Sequence, residues 1–224
     1  MRKHYTLFNL ILFISIFTAQ SNKTSETRLV VKDYDGNTYK AVKIGNQIWM
    51  VENLKTTRYN DGQQIPSVID NIAWGNLRTP GCCFYNNDSA KKNIYGALYN
   101  WYAVNTGKLA PKGWHVPTDA EWTTLTAYLG SENIAGGKIK EKGYTHWVSP
   151  NTGADNKSGF SALPGAGRNA DGNWGRLSYY ANFWTSTEAS ATNAWRRHLV
   201  NDDQNVRRDN SGKGMGFSVR CVKD

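Results

Sequence analysis

The sequence is poor in the residues that build reactive centres. Four histidines and three cysteines occur among 224 residues, and no C-x-x-C pair is present, so we expect no structural zinc site. A G-x-S-x-G nucleophile elbow is absent, and no cysteine has a base partner near it in sequence. The glycine-rich run 165–172 lacks the preceding strand and following helix of a phosphate loop, which indicates a surface turn. These absences argue against nucleophilic catalysis and nucleotide binding.

The N-terminus has the order of a secretory signal peptide. Arg2 and Lys3 precede an apolar run over residues 7–17, and the small-residue triplet 19–21 follows. The apolar run is too short to span a bilayer, which disfavours the alternative of a retained membrane helix. We predict that residues 1–21 are a signal peptide, which leaves a mature chain of 203 residues.

The mature chain has no second apolar segment and no cysteine at the cleavage site. We therefore expect an exported protein, secreted or held at the cell surface, with no transmembrane span after cleavage and no lipid anchor on cysteine. Loss of Arg2 and Lys3 lowers the formal charge from +9 to +7. This charge favours acidic partners such as anionic polysaccharide, the alternative being a solvated basic surface. No Lys/Arg tract or nucleic-acid motif occurs, so nucleic acid is not an expected partner.

The three cysteines are Cys82, Cys83 and Cys221. Export makes a disulfide plausible, whereas a bond between adjacent Cys82 and Cys83 would be strained. One of these two should therefore join Cys221, which leaves an odd thiol. Closing so long a loop would add on the order of 4 to 5 kcal/mol in the chain-entropy model.

Strand signals dominate the start of the mature chain. Residues 30–54 are rich in Tyr, Val, Ile and Trp and are divided by Asp35-Gly36 and Gly45-Asn46. These pairs tolerate positive φ, so the segment predicts a β-meander of three strands and two tight turns.

Two helices are predicted in the middle of the chain. Within residues 95–108 the apolar residues fall on one side of a helical wheel, and Gly107 suits a C-terminal cap, which predicts a helix of about ten residues. The second helix begins at Thr118, with Glu121 three residues later, and continues to Gly130. Thr118 and Glu121 form a capping box, in which each side chain satisfies a free backbone donor of the other.

The second helix begins inside GWHVPTDAEW, which places His115, Asp119 and Glu121 within seven positions. This spacing suggests a metal site, but Pro117 separates His115 from the helix. Glu121 already serves the capping box, and Asp119, at N2, favours the helix dipole. We interpret the cluster as structural and predict no metal ligands, since the histidines of the mature chain show no ligand spacing.

After residue 149 the helical patterns disappear. Residues 149–175 predict a long loop anchored by Phe160, Leu163 and Trp174. Four short strands follow, separated by Asn/Asp/Gly turns; they cover residues 181–188, 194–200, 205–210 and 216–224. The sequence therefore predicts one α+β domain over residues 33–224, preceded by an N-terminal segment over residues 22–32.

The late segment, residues 193–216, concentrates aromatic, cationic and amide side chains. Such groups supply stacking faces and directional donors that suit sugars or carboxylate-bearing ligands. The alternative is a solvated sheet face with its Trp in the core. The candidate ligand-binding residues are Trp195, Arg196, Arg197, His198, Asn201, Arg207 and Arg208.

Several motifs along the chain resemble those of one family. They include DYDGNTYKAVKIGNQIWMVENLKTTRYNDGQQIP, YGALYNWYAV, GWHVPTDAEW, SGFSALPGAGRNADGNW, FWTSTE and GFSVRCVKD. Together they resemble the Fibrobacter succinogenes major paralogous domain, from about residue 33 to residue 223. The family commonly has a Cys-aromatic-Tyr-Asn-Asn-Asp run, matched by residues 83–88, so the resemblance implies that Cys83 pairs with Cys221.

The chain is also similar, more distantly, to the formylglycine-generating enzyme superfamily, which implies a C-type-lectin-like fold. HVPTDAEW and GFSVR occupy the places of that superfamily's R-L-P-T-E-A-E-W and G-F-R motifs. In those enzymes the redox-active or copper-binding cysteines lie close together before the terminal motif, whereas Cys221 follows it here. The resemblance therefore supports the fold and not the activity. Other proteins of the wider fold are ligand-binding receptors whose variable residues lie in the last strands and loops.

We therefore expect an exported, non-catalytic binding protein that recognises glycans or proteins at the cell surface or in the environment through its C-terminal strands. The alternatives are an oxygen-dependent metalloenzyme of formylglycine-generating type and a purely structural envelope protein. Residues 85–89 and 201–205 carry oxygen ligands of the kind calcium takes, but Asn/Asp runs are typical of turns. We predict no cofactor and leave calcium and the oligomeric state open.

Overall fold

The computed structural model describes Met1 and residues 30–224. The predicted signal peptide 1–21 and residues 22–29 of the N-terminal segment therefore lie outside the described part, apart from Met1. Within the described part, none of the helices has the length and apolar character needed to cross a membrane.

The fold is α+β, with ten short strands and five short helices in the described residues. The strands are β1 Val30–Lys32, β2 Thr38–Ile44, β3 Gln47–Met50, β4 Cys82–Cys83, β5 Leu98–Tyr99, β6 Trp114–His115, β7 Tyr180–Glu188, β8 Asn193–Val200, β9 Arg207–Gly212 and β10 Val222–Lys223. The helices are α1 Asn71–Asn76, α2 Lys92–Tyr95, α3 Trp101–Val104, α4 Asp119–Tyr128 and α5 Glu132–Ile139.

The predicted meander is confirmed and forms three of the five strands of a larger antiparallel sheet. Gly36 at φ 84° and Gly45 at φ 61° occupy the two turns, where left-handed backbone favours glycine. The sheet has the order β1-β2-β3-β10-β6, so the last strand, β10, pairs with the third strand of the meander. Val222 is the link, since it pairs with Trp49 on one side and His115 on the other.

A second antiparallel sheet has the order β7-β8-β9, and we call it the terminal sheet. It confirms three of the four strands predicted after residue 175. The fourth prediction, a strand over residues 216–224, is wrong in extent and place, because only β10 is a strand and it belongs to the first sheet. Residues 216–218 instead make single bridges to several segments, including Phe217 to Tyr99 and Ser218 to Phe183.

Helix α4 has the predicted capping box. The Thr118 hydroxyl accepts a hydrogen bond from the Glu121 backbone at 3.2 Å, and Glu121 Oε2 accepts from the Thr118 backbone at 2.8 Å. The buried side chains of Trp122, Leu125 and Leu129 face the core, as their spacing predicts. Thr118 is the cap, so Asp119 occupies N1 rather than N2.

The predicted helix over residues 95–108 is wrong, because only α3, a single turn, forms there. Leu98 and Tyr99 pair as a strand with β4, and Tyr99 also bridges Phe217. Backbone pairing on both sides therefore overrides the helical spacing of the side chains. Asn100 then caps α3 by accepting a hydrogen bond from Ala103.

Helix α5 is not predicted by the sequence, because Gly136 and Gly137 interrupt it. Both glycines lie where other backbone passes close to the helix. A Cβ at Gly136 would come within 2.4 Å of the Asn205 carbonyl oxygen, and one at Gly137 within 2.4 Å of the Gly153 oxygen. These glycines therefore allow α5 to dock against two loops, at the cost of helical propensity.

Aromatic side chains fill the core between the first sheet, α4 and the terminal sheet. Trp122 lies at the centre of this cluster. The distance from its ring centroid is 5.0 Å to that of Trp49, 5.6 Å to that of Phe160 and 5.5 Å to that of Phe183. Phe160 is fully buried, as predicted for a loop anchor, whereas Leu163 is only half-buried. This cluster packs β7 against α4.

The structure does not contain the expected bond between Cys83 and Cys221, since all three cysteines are buried free thiols. Adjacent residues of a strand point to opposite sides. Cys82 belongs to the core cluster that contains Cys221, while Cys83 belongs to a separate cluster with Trp74 and Leu98. Cys83 therefore points away from the cluster of its expected partner.

Candidate functional site

The terminal sheet divides the predicted site residues between its two faces, because side chains alternate along a strand. On β8, Trp195 and Arg197 point towards α4 and α5, whereas Arg196 and His198 point to the other face. On β9, Arg208 pairs with Arg197, and Arg207 pairs with His198. The seven residues predicted as one site therefore do not form one surface.

Arg197 lies on the helix-facing side and is fully buried. Its guanidinium donates to Glu132 at 2.7 Å and to Asp119 Oδ1 at 2.9 Å. A third hydrogen bond goes to the Thr123 hydroxyl at 2.9 Å. Arg197 thus joins the terminal sheet to the starts of α4 and α5 and is inaccessible to a ligand.

Trp195 is half-buried, and a cation covers one face of its ring, which departs from the predicted open stacking face. The Arg208 guanidinium carbon lies 3.4 Å from the Trp195 ring centroid, and Arg208 Nε donates to Asp119 Oδ2 at 2.9 Å. Arg208 therefore covers the indole in a cation-π contact.

The opposite face of the terminal sheet borders a groove of about 650 Å³. We call it the terminal-sheet groove. Its polar and aromatic lining includes Arg176, Tyr179, Tyr180, His198, Asn201, Asp202 and Arg207. A smaller cavity of about 210 Å³ adjoins it, since both are lined by Tyr180 and His198, and it extends the groove to Arg196 and Phe217.

His198 lies between the groove and its extension. Its ring stacks on Tyr180 with centroids 5.5 Å apart, and its Nδ1 lies 2.7 Å from Asn182 Oδ1. Burial, with the nearby Arg196 cation, lowers the pKa of His198 from 6.5 to about 4. The imidazole is therefore neutral at pH 7.

Arg196 is half-buried beside His198 and donates to the same Asn182 oxygen. Asp209 lies 3.5 Å away, and the Arg196 Nε is buried without a hydrogen-bond partner. The guanidinium carbon also lies 5.2 Å from the Phe217 ring centroid. Arg196 therefore closes the inner end of the groove extension as a half-buried cation that is paired with Asp209.

Two other predicted residues line the groove. Arg207 makes a two-point contact with Asp203, at 2.7 Å from Nη2 and 3.2 Å from Nε, and is half exposed. Asn201 is buried and donates from its amide to the Ser149 carbonyl at 2.9 Å. Both side chains are held in place by these contacts.

Sequence reasoning missed the aromatic wall of the groove. Tyr180 is the first residue of β7 and Tyr179 precedes it, and the Arg176 guanidinium carbon lies 3.7 Å from the Tyr179 ring centroid. The run RLSYY, residues 176–180, carried the signal, because two adjacent tyrosines precede a strand next to a cation.

The GWHVPTDAEW cluster has a structural arrangement. His115 lies between two carboxylates, with Nε2 2.8 Å from Glu121 and Nδ1 2.7 Å from Asp224. Asp119 does not join them, because it accepts from Arg197 and Arg208. His115 therefore ties β6 to the start of α4 and to the last residue of the chain.

The first Asn/Asp run noted for calcium lies in two short 3₁₀ helices, and the second begins in a turn. In residues 85–89, Asn86 and Asn87 have φ of 53° and 54°, and in residues 201–205, Asp203 binds Arg207. Over residues 30–224, no group of three or more His, Cys, Asp or Glu side chains converges in a geometry for a metal ion.

A match between the sequence and a family profile identifies the family of the chain. The profile described as the Fibrobacter succinogenes major domain matches residues 42–223, which is more than half of the chain. The chain belongs to this family. No curated protein and no solved structure matches the chain significantly. The match to the Fibrobacter succinogenes major domain begins within β2 and spans the rest of the first sheet after β1, all five helices and the terminal sheet.

Proposed function

We propose that this protein is an exported, non-catalytic binding protein that recognises glycans through the terminal-sheet groove. The observation that carries the proposal is the groove itself, in which aromatic rings, arginines and amides meet on one face. Its volume of about 650 Å³ lies within the range of small-ligand sites.

The chemistry of the lining suits hydroxyl-rich ligands. Tyr179 and Tyr180 supply apolar ring faces for the C–H surface of a sugar. Neutral His198 has one donor and one acceptor ring nitrogen, and because Nδ1 lies 2.7 Å from Asn182 Oδ1, Nε2 is the nitrogen left for a ligand hydroxyl. Arg207 supplies directional donors and Asp202 an acceptor. Because an ion pair holds Arg207 and stacking holds the Tyr179, Tyr180 and His198 rings, binding costs little entropy at these side chains.

The proposal changes the predicted set of site residues. His198, Asn201 and Arg207 are assigned to the groove, with Arg196 at its extension. Trp195, Arg197 and Arg208 are assigned to the sheet's other face, where they stabilise the fold.

A C-type-lectin-like fold and export are parts of the same proposal. The α+β class, the return of the C-terminal strand to the N-terminal meander and the long loops support the fold. The sequence order of residues 1–21 supports export. The position of Cys221 supports a non-catalytic function. Cys221 follows the GFSVR motif, whereas the catalytic cysteines of the related enzymes precede the corresponding G-F-R motif.

A glycan array with the purified protein tests the proposal. We expect binding to at least one glycan class, and a loss of about tenfold or more in affinity for Tyr180→Ala and Arg207→Ala, since each removes a central contact. Trp195→Ala is the matched control, because it removes an aromatic side chain from the opposite face. The proposal fails if the parent binds no glycan, or if Tyr180→Ala binds as the parent does.

A further inference from the structure

The arginines of the late segment offer little net charge to an anion. Each of the four has a carboxylate within ion-pair distance. The pairs are Arg196–Asp209 at 3.5 Å, Arg197–Asp119 at 2.9 Å, Arg207–Asp203 at 2.7 Å and Arg208–Asp119 at 2.9 Å. The positive charge of these four arginines is therefore largely compensated, which favours another surface for an acidic partner.

A second concavity, the lysine pocket, has positively charged side chains in its lining and no carboxylates among the described residues. It has a volume of about 350 Å³ and is lined by Lys43, Ile44, Tyr128, Leu129, Lys138, Lys157 and Ser158. It shares no lining residue with the terminal-sheet groove.

The three ammonium groups of the lysine pocket keep donors for a ligand. Lys138 donates one hydrogen bond to the Leu129 carbonyl at 2.7 Å, and an ammonium has three donors. Lys157 forms an ion pair with Asp155 at 2.9 Å, but its side chain is 77% exposed, so solvent screens this pair. Lys43 is exposed on β2 and forms no ion pair within the described residues.

Tyr128 forms a wall of the pocket. Its ring crosses the β2-β3 turn so closely that a Cβ at Gly45 would lie 2.9 Å from the ring carbon Cδ2. The side chain is nevertheless 65% exposed. An exposed ring beside three cations gives a ligand a surface to pack against as well as charges to bind.

We propose that the lysine pocket binds a carboxylate or phosphate group carried by an anionic polymer. Lysine ammonium groups form charge-assisted hydrogen bonds with such oxyanions. The pocket volume suits one acidic sugar residue or one phosphate group of the polymer. This site lies apart from the terminal-sheet groove and does not depend on glycan recognition there.

Binding of the purified protein to polygalacturonate and to polyphosphate, with neutral galactan as the uncharged probe, tests the proposal. We expect binding to at least one of the two anionic polymers and not to galactan at the lysine pocket, with weaker binding at high salt. Lys43→Gln and Lys138→Gln should each lower the affinity about fivefold, and the double variant about 25-fold. Glutamine at position 138 retains a donor for the Leu129 carbonyl, and Lys43 is exposed, so both variants should fold.

The double variant Lys112→Gln/Lys223→Gln is the control for the effect of net charge. It removes two positive charges, as the pocket double variant does, but from residues outside the pocket. Its affinity should fall less than about twofold. The proposal is overturned if the parent binds neither anionic polymer, or if the control loses as much affinity as the pocket double variant. Binding to only one polymer supports the proposal and identifies its group as carboxylate or phosphate.

Discussion

Arg197 and Arg208 bind the two oxygens of one carboxylate. Arg197 donates to Asp119 Oδ1 and Arg208 to Asp119 Oδ2, each at 2.9 Å. Arg197 is fully buried, whereas the Arg208 side chain is 38% exposed. The same acceptor therefore makes one ion pair inside the protein and one at its surface.

We expect Arg197→Met to destabilise the fold by about 3 kcal/mol, because it leaves Asp119 and Glu132 without their buried cation. Arg208→Met should cost at most about 1 kcal/mol, since its pair is solvent-screened. Urea unfolding of both variants measures the difference. Equal losses would contradict the assignment of Arg197 to the buried side of the sheet.

Because His198 is neutral in the folded protein, we expect the protein to lose stability in acid. Its folded pKa, about 4, lies below the ordinary value of 6.5, so the unfolded chain binds a proton first as pH falls. The stabilising effect is full above pH 6.5 and is lost as pH falls from 6.5 towards 4. We expect His198→Gln to lose less stability than the parent over this window, as measured by urea unfolding at several pH values. A parallel pH dependence of the two proteins would count against a neutral His198.

For His115 we expect the opposite dependence of stability on pH. Burial lowers its pKa, but hydrogen bonds from its ring to Asp224 and Glu121 outweigh burial and raise the pKa above 6.5. The protonated ring therefore stabilises the fold fully below pH 6.5, and this effect is lost as pH rises through the raised pKa. NMR titration of the His115 ring should give a midpoint above 6.5. Asp224→Asn should lower that midpoint, and an unchanged midpoint would contradict the bridge.

The three thiols should be unreactive in the native protein. Burial raises the pKa of Cys82 and of Cys83 to about 12, and that of Cys221 even further. We expect iodoacetamide to label none of them in the native state and all three after unfolding without reductant. Labelling of a single cysteine after unfolding would instead indicate a disulfide, and peptide mapping would show whether it joins Cys83 or Cys82 to Cys221.

The sequence predicted local structure where local interactions decide it. Thr118 and Glu121 form a capping box because both partners lie within one turn, and Gly36 and Gly45 mark turns because few other residues adopt their φ. It failed at Leu98 and Tyr99, where pairing with distant strands outweighs helical spacing.

The candidate site was predicted in part for a similar reason. His198 and Arg207 were identified from their residue types, and both line the groove. The sequence did not separate them from Arg197 and Arg208, because the face of the sheet depends on strand register. Tyr179 and Tyr180 were missed because they join the groove only when β7 pairs with β8.

The two glycines of α5 provide the sharpest contrast between local propensity and tertiary packing. Alanine normally stabilises an exposed helix relative to glycine by about 1 kcal/mol. At Gly136, however, its Cβ would lie 2.4 Å from the Asn205 carbonyl oxygen, so the helix or the loop before β9 would have to move. We therefore expect Gly136→Ala to destabilise the protein by about 2 kcal/mol or more.

Gly212→Ala is the matched control, since a Cβ there has no neighbour within 4 Å. Its effect on stability should stay within about 0.5 kcal/mol. Thermal and urea unfolding of both variants give the comparison. If Gly136→Ala were as stable as the parent, the close contact between α5 and residues 204–205 would be wrong. Because residues 204–205 lead into β9, that outcome would also weaken the placement of Arg207 in the terminal-sheet groove.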